Sequence, residues 1–167
     1  MPTSARSFDV LVIGAGPAGG YLAGKVANAG YEVALVEEHR EIGEPIQCGG
    51  LVTPRVFEYV DCKETIIGSV HGAELYSPSG RKLVIDGRET EAVVVQRAMF
   101  DRAIATEAVR KGAHTFLGAQ AQSARRADGG VEVVIDQDGE RRTLRGKILV
   151  GCDGVRSNVA KWFDILR

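Results

Sequence analysis

The sequence predicts an α/β fold whose first part is a β-α-β unit, and three observations predict it. A short apolar run, Phe8 to Ile13 (FDVLVI), leads at once into the glycine-rich turn GAGPAGG, and a second apolar run, Tyr31 to Val36, ends in Glu37. A strand buried on both faces of a parallel sheet reads as a continuous β-branched run, and the first run has that character. From Pro17 to about Ala29 the residues are small or apolar, with Tyr21, Leu22 and Val26 at helical spacing and Gly30 as a C-terminal stop. The whole unit takes about 30 residues, as a crossover between parallel strands requires.

Residues 38 to 68 read as loop, with a short helix around Pro54 to Val60. GAELYS and RKLVID alternate in polarity and are joined by PSG, which predicts a β-hairpin, and AVVVQ is a further strand. From Ala98 to Lys111 the pattern places Phe100, Ile104, Ala108 and Val109 on one helical face, with Gly112 as the stop. The remainder is β-rich: HTFLGA, AQSARR, VEVVID with a QDGE turn, RRTL and KILVGCDG predict a meander returning to a buried strand, Lys147 to Val150. GVRSNVAKWFDILR opens another helix. The organisation expected is a β-α-β unit with a cysteine loop (1–60), a β-rich excursion (61–95), and a return helix, meander and Asp-Gly element (96–167).

Composition narrows the function. The chain has 167 residues, 44% of them hydrophobic, enough for one domain with a core, and a formal charge of -1. That balance offers no basic field for nucleic acid, and the RRADGG and ERR clusters read as solvated turns. VLVIGAGPAGG is too short and glycine-rich to span a bilayer, and MPTSARSFD lacks the apolar segment of a signal peptide, so a cytoplasmic protein is expected. Cys48, Cys62 and Cys152 are odd in number and widely spaced, which argues against a disulfide framework or a zinc site and leaves no metal expected.

The turn carries chemistry. Gly14, Gly16 and Gly19, with Ala18 among them, follow a buried strand and open a helix. There the first glycine permits a tight turn, the second lets the backbone approach a pyrophosphate, and the third allows close helix-to-strand packing. Unpaired N–H groups at the helix start favour an anion. Glu37 stands where a carboxylate accepts hydrogen bonds from a ribose hydroxyl pair, and its charge disfavours a 2′-phosphate. A dinucleotide such as FAD or NAD, rather than NADP, is expected; the bland alternative is a glycine-rich turn with Glu37 a surface charge.

GAGPAGG, the glycine before the second strand and Glu37, followed by Arg97-Ala98-Met99-Phe100-Asp101 and Gly151-Cys152-Asp153-Gly154, together resemble the glutathione-reductase class of flavoproteins in its aromatic-hydroxylase-like branch. The resemblance implies FAD and a Rossmann-like FAD-binding domain with a β-meander, incomplete here, plus the start of a β-rich substrate domain. It implies that Arg97 lies against the flavin side or the phosphates, that the backbone near Ala121 meets the adenine, and that Asp153 and Gly154 lie near the pyrophosphate and ribityl chain. The alternatives are a surface salt bridge from Arg97 to Asp101, a plain core alanine at 121, and Asp153 as a cap for the helix starting near Ser157.

EEHREIGEPIQCGGLVTPRVFEYV and HGAELYSPSG resemble the geranylgeranyl reductase family, especially its archaeal ether-lipid branch. This implies saturation of isolated carbon-carbon double bonds in a polyprenyl lipid substrate, with hydride from reduced FAD and a proton delivered to the other carbon. An external donor, NADPH or ferredoxin, and peripheral contact with a membrane surface follow from the same resemblance. Cys48 is then the candidate acid, since a thiol of pKa near 8.5 is mostly protonated at neutral pH. Gly49 and Gly50 would let backbone N–H groups approach the flavin ring, and Gln47 would add a hydrogen bond. The alternatives are a buried apolar Cys48 and a simple turn at Gly49-Gly50; Cys62 and Cys152 read as core thiols.

Proteins of that family are more than twice as long, and a later Gly-Asp segment, a substrate segment and C-terminal helices have no counterpart here. Lys161 also stands near where arginine is usual. An N-terminal fragment of a reductase is therefore expected, with an FAD monooxygenase or a non-catalytic nucleotide-binding chain as competing readings.

Overall fold

A computed structural model describes residues 6–87 and 89–165. In chain order its elements are β1 (Arg6–Ile13), α1 (Pro17–Asn28), β2 (Val33–Glu37), β3 (Leu51–Val52), β4 (Ile66–Val70), β5 (Gly72–Tyr76), β6 (Lys82–Asp86), β7 (Ala92–Val95), α2 (Arg97–Arg110), β8 (His114–Leu117), β9 (Ala119–Ala127), β10 (Gly130–Gln137), β11 (Glu140–Gly151) and α3 (Asn158–Trp162). They divide into two compact units, one running to Glu44 and resuming at Asp101, the other Pro45–Phe100.

The first unit is built on a six-stranded sheet of order β8-β2-β1-β11-β10-β9, in which β8, β2, β1 and β11 are parallel and the β9-β10-β11 meander is antiparallel. The alternating residues of β1 explain why its sequence is apolar throughout. Val10 and Val12 join Val33, Leu35, Ala23, Ala27 and Ala108 on one face. Leu11 and Ile13 join Val36, Val133, Ile135 and Leu144 on the other, in a cluster that also takes in Phe8. Both faces are thus covered, which is the condition under which parallel strands are stable. Helices α1 and α2 approach closely because Gly20 and Gly24 of α1 have no side chains: a Cβ at Gly20 would lie 3.1 Å from Ile104 Cγ2, and one at Gly24 3.4 Å from Ala108 Cα.

Three sequence expectations fail here for identifiable reasons. Val109 is 48% exposed, whereas Phe100, Ile104 and Ala108 are buried. At about 100° per residue, nine residues carry Val109 half a turn away from Phe100. RRTL and KILV are not separate pieces but one strand, β11, whose first half pairs with β10 and whose second half pairs with β1. Gly146 sits at the overlap, where a Cβ would lie 2.6 Å from Leu11 Cγ. The expected burial of Lys147 to Val150 is not met: Leu149 and Val150 are only partly buried, Lys147 is exposed, and so is Ile148, at 57%. It is aligned with Val10 of β1, toward the face that α1 covers, but outside the apolar cluster around that helix.

The second unit has a three-stranded sheet, β3-β7-β4, and a separate ribbon, β5-β6. β3, and β4 as far as Gly68, lie in the stretch 38–68 that the sequence presents as loop, since a two-residue strand and IIGSV give too short a periodicity. Val93, Val95, Cys62, Thr65, Ala98 and Phe100 are its buried residues, and Phe57 meets Phe100 edge to face at a 6.3 Å centroid distance. The predicted helix after Pro54 is a 3-10 helix, Pro54–Glu58. The predicted hairpin is the β5-β6 ribbon, and its pairing Ala73–Ile85 and Leu75–Leu83 puts four apolar residues on one face. Glu74, Tyr76, Lys82 and Val84 take the other, where Lys82 pairs with Glu74 at 2.5 Å and the Tyr76 hydroxyl donates to Glu74. Leu75, Leu83 and Ile85 each remain more than half exposed.

Candidate functional site

Within the first unit the structure brings three separated motifs together. Gly14 takes φ +97°, a left-handed conformation that favours glycine, and its N–H donates to Val36 O at 2.8 Å. A Cβ on Gly14 would collide with Cys152 O, and one on Gly19 with Gly14 O. The Asp-Gly element therefore runs directly against the glycine-rich turn, anchored by Cys152 N–H donating to Ile13 O at 2.7 Å. Gly16 differs from both. Its backbone is extended, φ -65° and ψ -178°, it forms the N-cap of α1 without a side-chain cap, and nothing lies within 4 Å of the position a Cβ would take. Open space in front of the first turn of α1, flanked by the Ala18 backbone, is what a pyrophosphate requires.

Glu37 closes the second strand with its side chain 12% exposed. Its Oε2 accepts Ala15 N–H at 2.8 Å, and its Oε1 accepts the N–H of His39 at 3.0 Å and the ring Nδ1–H at 2.7 Å. The carboxylate is thereby pinned beside the glycine-rich turn. The sequence marks His39 only as a polar residue two positions beyond the carboxylate. β9 runs alongside this segment: Gly118 N–H donates to His39 O at 3.0 Å and Gln120 Nε2 to Glu38 Oε2 at 3.5 Å. Ala121 follows on β9, half-buried against the core, and the β9-β10 register shifts between Ala121 and Ser123. Bulges of this kind re-aim the backbone near binding sites.

Asp153 makes the contacts of a helix cap. Its Oδ2 accepts the N–H groups of Asn158 and Val159 at 2.7 and 3.1 Å, and its Oδ1 accepts the Ser157 hydroxyl at 2.6 Å. Ser157 Oγ in turn accepts Ala160 N–H at 2.9 Å. Gly154, at φ +76°, has open space around it.

The remaining candidates belong to the second unit. Gly50, at φ +77°, lies against β7, where a Cβ would collide with Val95 O and where its own carbonyl accepts Val95 N–H at 2.9 Å. The fold itself thus requires glycine at 50, whereas Gly49 has nothing within 4 Å of a Cβ position. This contact ties the Gln47-Cys48 loop to the strand that leads into Arg97. Arg97 opens α2 half-buried, after Gln96, whose Oε1 accepts Met99 N–H at 2.6 Å. Gln96, which the sequence places at a strand end, thus caps α2.

The thiols separate cleanly. Cys48 is exposed, Cys62 is buried and Cys152 is intermediate. Burial, reinforced by the charge of Glu64, pushes the Cys62 thiol up, and burial with the charge of Asp153 does the same at Cys152. A thiol reagent on the native chain at pH 8 is expected to modify Cys48 rapidly and the other two only on denaturation. Rapid loss of two or more thiols would contradict this ordering. Among the described residues no cluster of His, Cys, Asp or Glu is arranged to hold a metal.

A parallel sheet with a glycine-rich turn, an open helix N-terminus and a pinned carboxylate defines a dinucleotide-binding fold, and the residues fit FAD. The chain matches the FAD binding domain family over residues 7–166 and belongs to it. It is 36% identical over 163 residues to a digeranylgeranylglycerophospholipid reductase from Methanothrix thermoacetophila, covering 94% of this chain and 42% of that protein. The solved geranylgeranyl bacteriochlorophyll reductase-like protein from Thermoplasma acidophilum superposes with a TM-score of 0.86 at 26% identity, over 96% of this chain and 42% of that one. An anhydrotetracycline hydroxylase from Streptomyces rimosus shares the fold, with a TM-score of 0.75 at 24% identity over 95% of this chain and 34% of its own. The chain spans about two fifths of the length of the curated reductases it matches.

Proposed function

We propose that this chain is the FAD-binding part of a reductase that saturates carbon-carbon double bonds in the polyprenyl chains of a membrane lipid. The observation that carries the reading is the similarity to digeranylgeranylglycerophospholipid reductases, which covers 94% of the chain, together with an exposed thiol at Cys48. Bound FAD, when reduced, supplies the hydride for one alkene carbon. Cys48 holds at Sγ the proton for the other, and solvent returns it. An isolated alkene offers no enolate to stabilise, so a positioned acid is needed. Arg97, Gln47 and Gly50 shape the flavin end in this reading; Gly14, Gly16, Ala18, Gly19, Glu37 and Ala121, with Asp153 and Gly154, serve the nucleotide and phosphate end.

The apolar face of the β5-β6 ribbon suits a protein that handles a hydrocarbon chain. No described helix is long and apolar enough to cross a membrane, and the reading has the protein reach its lipid from the cytoplasmic surface by peripheral contact. NADPH or ferredoxin is the proposed source of electrons.

In the full-length protein, Cys48→Ala is expected to retain flavin absorbance and to slow alkene reduction about 100-fold, within the range for loss of a general acid. Unchanged turnover would remove Cys48 from the chemistry. Anaerobic reoxidation of the reduced flavin by a polyprenyl lipid tests the reaction itself. Reoxidation only when oxygen is admitted would favour a monooxygenase on the same fold.

A further inference from the structure

We infer that His39 is a positioning residue for nucleotide recognition, acting through Glu37 to set which ribose hydroxyl the site reads. The inference rests on Glu37 being the ribose acceptor. A carboxylate offers about four acceptor positions. Three are taken by the chain itself: Oε2 by Ala15 N–H, and Oε1 by both the backbone N–H and the ring Nδ1–H of His39. Nδ1 must be the donor, because an ionised carboxylate has no proton to give. Among the described residues Oε1 is therefore saturated, and the one acceptor position left is on Oε2, the oxygen beside the glycine-rich turn. Such an arrangement accepts one hydroxyl, not the hydroxyl pair that the sequence alone suggests.

His39 also fixes the direction of that acceptor. Without the ring donor, Oε1 regains a free lone pair and the carboxylate can rotate about its terminal torsion, which is intrinsically broad for a glutamate. The ring does not act as filler, since its side chain is 41% exposed while that of Glu37 is 12% exposed. Its peptide, by contrast, is held from the other side by Gly118 N–H donating to His39 O, so a side-chain substitution leaves the loop path in place.

The test uses ADP and 2′-deoxy-ADP as probes of the nucleotide half, titrated calorimetrically into this chain and into His39→Phe and His39→Asn variants. Phenylalanine keeps a ring and removes the donor. Asparagine places an amide N–H close to the position of Nδ1. The unsubstituted chain is expected to prefer ADP over 2′-deoxy-ADP about tenfold, the discrimination a hydrogen bond to a charged acceptor supplies. In His39→Phe the preference should fall to about twofold with the thermal midpoint unchanged, and His39→Asn should restore it. A preference that is the same in all three proteins, or lost equally in both variants, overturns the positioning role. Absence of ADP binding by the unsubstituted chain overturns the nucleotide assignment of Glu37 itself, and with it the inference.

Discussion

Gly16→Ala is expected to fold as the parent chain does and to lose FAD affinity by at least about tenfold, whereas Gly19→Ala is expected to lose about 3 kcal/mol or more of stability. The contrast follows from space and not from composition. At Gly16 the backbone is extended and nothing lies within 4 Å of the new Cβ. The stability effect is then limited to a small loss of N-cap preference and a small gain from a stiffer unfolded chain, about 0.5 kcal/mol each and opposite in sign. The methyl group instead fills the approach to the first turn of α1, and a tenfold loss there corresponds to about 1.4 kcal/mol. At Gly19 helix propensity favours alanine by about 1 kcal/mol. That gain is overwhelmed, because the Cβ collides with the Gly14 carbonyl and lies 3.2 Å from Cys152 Cβ. Both obstacles belong to the crossing of β1, α1 and the Asp-Gly element, so backbone must move, and overpacking of this kind costs about 3 kcal/mol or more. Urea unfolding and flavin titration of the two variants separate the outcomes. Equal stability of both would mean that the turn is looser than its geometry indicates.

The same pair shows what the sequence makes legible. The motif assigns three glycines three mechanical roles; the structure shows the tight turn at Gly14 and the close packing at Gly19, and at Gly16 it shows open space. β1, α1 and β2 are read correctly because a doubly buried strand and a helix starting at proline have strong local signatures. Glu37 is legible as a carboxylate at a strand end, yet its partner His39 is not, since a hydrogen bond two residues away leaves no periodicity. Gly50 is legible as a special glycine but not for its use: its contact is with Val95, distant in sequence, and only the pairing of β3 with β7 reveals it. β11 is misread as two pieces because its partners change along its length, a property of the sheet that no window of the sequence contains. The Cys48 loop lies at the limit of such reading. Its thiol is exposed, and the acid role proposed for it rests on the resemblance of the loop.

Asp153→Ala is expected to undock α3, at a cost of about 2 to 4 kcal/mol. The carboxylate accepts two N–H groups and one hydroxyl; a capping bond is worth about 1 kcal/mol, and donors left without a partner cost more when buried. α3 is only five residues long, too short to persist by its own propensity. It holds through this cap and through Val159, 5% exposed, packed on the core cluster with Trp162 and Phe163 against it. Trp162 is the single tryptophan of the chain, so its emission reports the docking of α3 directly. A red shift in native buffer, before the global urea transition, is the expected signature in Asp153→Ala. Ser157→Ala removes the bond to Ala160 N–H and the hydroxyl that Asp153 accepts, leaves the two N–H groups on Asp153 in place, and should give a smaller shift and a cost of about 1 kcal/mol. The two variants also divide the roles of Asp153. If the residue serves the cofactor only by holding α3 and the Gly154 turn, flavin affinity should fall in proportion to the loss of docking in both proteins. A disproportionate loss in Asp153→Ala, with Ser157→Ala nearly intact in affinity, would assign the carboxylate a direct part in holding the phosphate and ribityl end. Unchanged emission and stability in Asp153→Ala would instead remove the cap from the account of this segment.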